Sequence, residues 1–154
     1  MEVKASLMKP YTDNQRRDFI VEQNHNRGYE IRESETALEA WGYTEEEKRE
    51  QEKERIGNLQ ITKRVFMLGL QQLGITYTQL KELIATNEQA QMEWDLCVEL
   101  QRKNPLLDIM AAQLGVHSAM LDYIFQKANG EDIDPPVIEE QEVEPEAEQE
   151  EAEE

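Results

Sequence analysis

Residues 110–118 read Met110-Ala111-Ala112-Gln113-Leu114-Gly115-Val116-His117-Ser118, and Leu121 and Ile124 follow. A small residue at position 111, a glycine in the turn and apolar residues on both sides are typical of the packing positions of a helix-turn-helix corner. The stretch therefore predicts one helix that ends at Gly115 and a second that Ser118 caps and that runs from Ala119 to Ala128.

The predicted second helix offers little to a nucleic acid. Contacts with phosphates depend on positive side chains, and this helix contains a single cation, Lys127. We therefore interpret the corner as a structural feature and do not expect direct DNA binding. A helix-turn-helix regulator is the least favoured of the three functions that we consider.

A similar section lies 41 residues earlier in the chain, where Gln72-Leu73-Gly74-Ile75 matches Gln113-Leu114-Gly115-Val116. Helical periodicity and capping residues predict further helices over Thr62–Leu73, Thr78–Ala85 and Glu88–Lys103, with Pro105 in the first turn of the next one. Residues 59–129 are accordingly predicted to form a bundle of about five helices. Its expected core comprises Phe66, Leu70, Leu73, Leu80, Leu83, Leu96, Leu100, Leu107, Leu114, Leu121, Ile124 and Phe125.

Two different segments precede this bundle. Residues 44–58 begin with a capping box, Thr44 with Glu47, and continue as a charged stretch without an apolar face, which predicts a solvated connector helix. The pattern of residues 1–43 predicts a small module that contains a capped helix from Thr12 and a short strand near Tyr29. The alternation over residues 29–41 leaves two possibilities open, a hairpin or a second short helix. The predicted fold class is thus mainly α.

The C-terminal tail, residues 130–154, holds most of the net charge. Residues 131–154 carry 13 acidic side chains and no Lys or Arg, so they supply −13 of the formal net charge of −18. With few apolar side chains to offset the entropy of ordering, the tail is predicted to be disordered. Either it keeps the protein soluble, or it binds a basic surface through the acidic side chains Glu139, Glu140, Glu142, Glu144, Glu146 and Glu148.

The chain shows no arrangement typical of catalysis or of a cofactor site. His25 and His117 stand at predicted helix ends, and Cys97 is more typical of a small core residue than of a nucleophile. There is no glycine-rich phosphate loop, and residues 131–134 do not follow the calcium-loop pattern. We expect no enzymatic activity, no cofactor and no metal.

A protein-binding surface is the remaining candidate. On a continuous helix over Glu88–Lys103, Trp94 and Val98 lie on the face opposite Met92, Leu96 and Leu100. Either this helix is buried on two sides, or Trp94 and Val98 belong to a surface that contacts a partner protein.

Several motifs resemble known sequences. Met8-Lys-Pro-Tyr11-Thr12-x-x-Gln15-Arg16 and Asn24-His25-Asn26-x-Gly28-Tyr29-x-Ile31 resemble the opening of small accessory proteins encoded in tail-fibre regions of phages and prophages of Firmicutes. The stretch from Ile61 through Asn104-Pro105-Leu106 to Phe125 is similar to a helical part found there, so that the likeness covers about residues 8–128. It would also make Met8 a natural start and residues 1–7 an extension.

The resemblance implies a context of phage virion or tail assembly rather than a chemical mechanism. The leading hypothesis is therefore a non-enzymatic, phage-encoded accessory protein that binds a virion or tail component during assembly. The alternative is an acidic inhibitor of a basic host protein, a nucleic-acid-binding defence protein whose groove the acidic surface would occupy.

Composition and segment length indicate where the protein acts. Cys97 is the only cysteine, no stretch is apolar enough to cross a membrane, and the N-terminus shows no signal peptide. We expect a protein of the host-cell cytoplasm that also associates with virions.

Overall fold

The computed structural model of the protein describes residues 1–139, which divide between two compact units, Met1–Gly57 and the residues from Asn58 onwards. Within these residues the chain forms seven α-helices, one π-helical turn and five short strands. In chain order they are β1 (Glu2–Met8), α1 (Asp13–Ile20), the π-helical turn (Val21–Asn26), β2 (Glu30–Glu33), β3 (Ala37–Gly42), α2 (Glu45–Gly57), β4 (Gln60–Thr62), α3 (Lys63–Gln72), α4 (Tyr77–Ala85), α5 (Glu88–Leu96), β5 (Glu99–Gln101), α6 (Pro105–Gln113) and α7 (Ser118–Ala128).

The first unit is built on a three-stranded antiparallel sheet with the strand order β1-β3-β2. β3 lies in the centre, and its Leu38 and Ala40 are fully buried. The prediction left residues 29–41 as a hairpin or a short helix, and the chain forms the hairpin, with Ile31 paired to Ala40. Residues 1–7, which the resemblance treated as an extension, form most of β1, and Ser6 pairs with Glu39.

The helices of the first unit begin where the sequence predicted. The side chain of Thr12 accepts a hydrogen bond from the backbone of Gln15, and the side chain of Gln15 reaches back to the backbone of Thr12. Thr44 and Glu47 make the same reciprocal pair at the start of α2. Both predicted capping boxes are therefore confirmed.

The second unit holds the main hydrophobic core, which α3 to α7 and the two short strands surround. Eight of the twelve predicted core residues are buried, and Leu83 and Leu114 pack against the core while partly exposed. Leu73 and Leu96 are exposed instead. The expected core omitted Ile61, Met67, Ile84, Ala90 and Met110, which are buried. Ala111 and Val116, expected as packing residues of the corner, are buried too, and so is Trp94, for which burial was one of two interpretations.

The expectation of a mainly α protein with a five-helix bundle is wrong. The predicted helix over Glu88–Lys103 ends at Leu96, and Glu99–Gln101 forms β5, which pairs antiparallel with β4. Two small antiparallel sheets therefore stand among the helices, and the fold is a mixture of α and β. In the second unit, the helix ends at Leu96 because the following residues pair with β4. Ile61 and Leu100 lie opposite each other in this pair and are both buried. A helix that continued to Lys103 would not allow this pairing.

The similarity at an offset of 41 residues corresponds to a structural repeat. β4-α3-α4 and β5-α6-α7 each place a short strand before two helices. In both turns a glycine with positive φ, Gly74 at +84° and Gly115 at +74°, ends the first helix. The next residue, Ile75 or Val116, then donates its N–H to a carbonyl five residues back. The predicted corner between residues 110 and 128 is thus one of two equivalent helical corners.

Candidate functional site

The second unit has a groove between α5, β5 and α6, with a volume of about 320 Å³. Its lining is mostly apolar. The principal lining side chains are Met92, Trp94, Leu96, Cys97, Leu106 and Leu107. We call this feature the α5–β5 groove.

The end of α5 creates the groove. Cys97 donates its N–H to the carbonyl of Glu93 at 3.0 Å and then turns into an extended conformation, with φ −81° and ψ 145°. The chain leaves the helix at this point, and the two aliphatic residues on either side of Cys97 project into solvent. Leu96 is 77% exposed and Val98 is 78% exposed. Leu96 lines the groove, and Val98 stands in the chain between the lining residues Cys97 and Glu99.

Trp94 lies at the boundary between the α5–β5 groove and the core. It is 8% exposed, and its ring packs against Phe66 with centroids 6.4 Å apart. Lys63 Nζ lies 5.5 Å from the centroid of the ring and donates to the Trp94 carbonyl at 2.6 Å. Trp94 thus forms an inner wall, because little of its surface faces solvent.

The structure does not place Trp94 and Val98 on one helix face, because α5 ends between them. It associates Trp94 instead with Met92 and Leu96, which also line the α5–β5 groove. Leu96 had been expected in the core. The alternation Val98-Glu99-Leu100-Gln101, which is typical of a strand, was the signal that could have revealed the end of the helix.

The charged side chains that line the α5–β5 groove are acidic. Glu93 and Glu99 belong to its lining, and no Lys or Arg does so within residues 1–139. Glu93 accepts hydrogen bonds from Gln89 at 3.3 Å and from Asn104 at 3.5 Å, which are both uncharged partners. A ligand of this groove therefore meets an apolar wall with negative charge beside it.

A buried arginine holds the groove's strand in place. Arg102, which follows β5 directly, is 7% exposed, and its guanidinium donates to Asp122 at 2.6 Å, to Asp108 at 3.0 Å and to the carbonyl of Ser118 at 3.2 Å. Its backbone N–H donates to the carbonyl of Leu59 at 2.9 Å. Arg102 thereby connects the end of β5 to α6 and α7, and the sequence analysis did not identify it.

The helical corner between residues 110 and 128 is tied into this network. The predicted cap at Ser118 is wrong: Ser118 is the first residue of α7, and His117 caps the helix by accepting the N–H of Ala119 on Nδ1. Asp122 of α7 is a partner of Arg102. The one cation of α7, Lys127, lies 4.0 Å from Asp132. Part of the helix that would have to read DNA is thus occupied by contacts within the protein.

The acidic side chains proposed to bind a partner fall in two parts. Glu139 is exposed, and residues 131–139 form no helix or strand. The others, Glu140, Glu142, Glu144, Glu146 and Glu148, lie outside the described residues. Their role stays a prediction.

Metal-ligating residues are dispersed in the part of the chain that the structure describes. Within residues 1–139 no group of three or more His, Cys, Asp and Glu side chains is close enough to hold a metal ion. Cys97 is partly buried, and its thiol lies 3.7 Å from the Trp94 carbonyl.

No helix within residues 1–139 is long and apolar enough to cross a membrane.

Comparison of the chain with protein-family models, with curated proteins and with solved structures finds no match. The resemblance to accessory proteins of phage tail-fibre regions therefore stays a prediction.

Proposed function

We propose that the protein is a non-enzymatic, phage-encoded accessory protein that binds a virion or tail component during assembly through the α5–β5 groove. The observation that carries the proposal is the pair of exposed apolar side chains, Met92 and Leu96, that line a preformed apolar groove. Val98, which is 78% exposed, stands in the chain between the lining residues Cys97 and Glu99. The phage context rests on the resemblance of residues 8–128. The protein would act in the host-cell cytoplasm, and a fraction of it would remain with virions.

Exposed aliphatic side chains are common singly, but several beside a groove are typical of a docking surface. Met92 is 53% exposed and lies one helical turn before Leu96 on α5, so that the two make a continuous stripe. Covering a side chain of this size with apolar surface contributes about 1.5–3 kcal/mol. Three such side chains can therefore supply a large part of the free energy of binding to a partner.

The test is retention of an identified virion protein from cells infected with the phage that encodes this chain. The full-length protein is immobilised, and retained proteins are identified by mass spectrometry at low and high salt. Variants Leu96→Ser and Val98→Ser are compared with Val137→Ser, which changes a 91% exposed valine that does not line the groove. We expect a tail or virion protein to be retained by the wild type and Val137→Ser and lost from the double variant Leu96→Ser/Val98→Ser.

Retention of the same virion protein by all three forms would refute the role of the α5–β5 groove. Absence of the protein from purified particles, together with no retained tail protein, would refute the assembly function.

A second candidate function is inhibition of a basic host protein, a nucleic-acid-binding defence protein. The charge distribution favours it, because residues 131–154 contain 13 acidic side chains and no basic one. This function requires binding that weakens steeply with salt and that DNA or RNA competes for. Replacing Glu139, Glu140, Glu142, Glu144, Glu146 and Glu148 by Gln should abolish it, and salt-insensitive binding would exclude it.

A further inference from the structure

We infer that the occupant of the α5–β5 groove is an amphipathic helix of a partner protein whose apolar face is flanked by Lys or Arg. The inference rests on the proposed function and adds the chemistry of the partner. It is carried by the apolar stripe of α5 and by the sign of the charges beside it.

The stripe fits a helix. Met92 and Leu96 are one turn apart on α5, and Val98 extends the apolar surface beyond the end of that helix. Rows of side chains at this spacing form the ridges against which a second helix packs, and a groove of this kind is a recurring site for amphipathic helices. Leu106 and Leu107 of α6 supply the opposite wall.

The charges select a basic partner. Glu93 and Glu99 line the groove, and within residues 1–139 the structure gives neither of them an ion-pair partner. The nearby cation Arg102 is directed elsewhere, towards Asp108 and Asp122, and Lys63 is bonded to the Trp94 carbonyl. Lys or Arg beside the apolar face of a partner helix would complement Glu93 and Glu99, whereas acidic residues there would be repelled.

The same charges disfavour a second copy of this chain as the occupant. In a symmetric pairing of two α5–β5 grooves, Glu93 and Glu99 of one copy would approach their equivalents in the other. Each copy carries a formal net charge of −18, which adds to the repulsion at low salt.

The experiment uses the full-length protein and synthetic peptides of about 15 residues, a length at which a helix can form on binding. One peptide has Leu at helical spacing with Lys elsewhere. A second replaces Lys by Glu, and a third has the Lys peptide's composition in an order without an apolar face. Binding is followed by the fluorescence of Trp94 in the Trp41→Phe variant, because Trp41 and Trp94 are the only tryptophans. Trp94 lines the groove, so a peptide that enters the groove should change its fluorescence.

We expect the amphipathic Lys peptide to bind at least about tenfold more tightly than the Glu peptide or the reordered Lys peptide. Leu96→Ser or Val98→Ser should weaken it by about tenfold, and Val137→Ser should leave it unchanged. Glu93→Gln together with Glu99→Gln should reduce the preference for Lys over Glu and the dependence on salt.

Three results would overturn the inference: equal affinity for the Lys and Glu peptides, affinity unaffected by Leu96→Ser and Val98→Ser, or a stable dimer of the free protein at low salt that those substitutions abolish. None of these peptide results depends on retention of a virion protein, so the inference and the proposed assembly function can fail separately. A virion protein that the α5–β5 groove retains through an acidic or uncharged segment would leave the function intact and refute the inference.

Discussion

Arg102 is the side chain whose removal should damage the second unit most clearly. Arg102→Ala removes a 7% exposed side chain and its three hydrogen bonds, two of them to carboxylates. The side chains of Asp108 and Asp122 are 47% and 37% exposed, so water rehydrates them after the substitution and the loss stays well below that of a fully buried ion pair. Loss of the hydrogen bonds and of the packed side chain should together cost about 3 kcal/mol.

The assays are chemical denaturation, which gives the free energy of unfolding, and thermal unfolding, which gives Tm, both followed by circular dichroism. For a unit of this size, a loss of about 3 kcal/mol corresponds to a fall in Tm of about 12–24 °C. Arg102→Met keeps an unbranched apolar side chain and should lose about half as much. Lys103→Ala removes an adjacent exposed cation and should change stability by less than about 0.5 kcal/mol. A loss below about 1 kcal/mol for Arg102→Ala, or equal losses for Arg102→Ala and Lys103→Ala, would refute the structural role assigned to Arg102.

Three further predictions concern packing, pH and the α5–β5 groove. A Cβ at Gly69 would lie 2.7 Å from Cγ2 of Ile124. Gly69→Ala should therefore lower the free energy of unfolding by about 1 kcal/mol, although Ala has a better helix propensity than Gly. In an Ile124→Ala background, where this close contact is absent, the same substitution should raise the free energy of unfolding. Hydrogen bonds from Tyr11 and Arg16 lower the pKa of Glu33 to about 2 from 4.5, so the stabilisation by its carboxylate is present above pH 4.5 and is lost as the pH falls towards 2. In urea titrations over that range, Glu33→Gln should lose this part of the pH dependence, and an unchanged dependence would contradict the assignment. Because Leu96 is 77% exposed, Leu96→Ser should shift the thermal midpoint by no more than an ordinary surface substitution does. A fall of several degrees would show instead that Leu96 packs in the core.

Local signals at helix ends predicted the structure well. Thr12 and Thr44 begin helices as expected, and Gly74 and Gly115 end them in left-handed turns. These signals are reliable because each depends on a hydrogen bond or a backbone conformation that a few neighbouring residues determine. Asn87 likewise caps α5 by accepting the N–H of Ala90.

The short strands were harder to predict because their stability comes from pairing over a distance. β4 and β5 contain three residues each and lie 39 positions apart, so the pairing of Ile61 with Leu100 leaves little trace in either segment alone. Helical periodicity over Glu88–Lys103 therefore concealed the end of α5 and, with it, the α5–β5 groove.

The candidate site was predicted only in part for the same reason. Trp94 was identified as an aromatic side chain with a possible role in binding, but its partners in the groove depend on where α5 ends. Arg102 resembled an ordinary surface cation in the sequence, because Asp108 and Asp122 approach it only after α6 and α7 fold back against β5.

The most direct test of the account is the affinity of the purified full-length protein for the virion component that it retains. The account predicts that Leu96→Ser/Val98→Ser weakens this affinity by about a hundredfold, as two independent tenfold losses combine, and that Val137→Ser leaves it unchanged. Equal affinity of the wild type and the double variant would contradict the claim that the α5–β5 groove is the binding site.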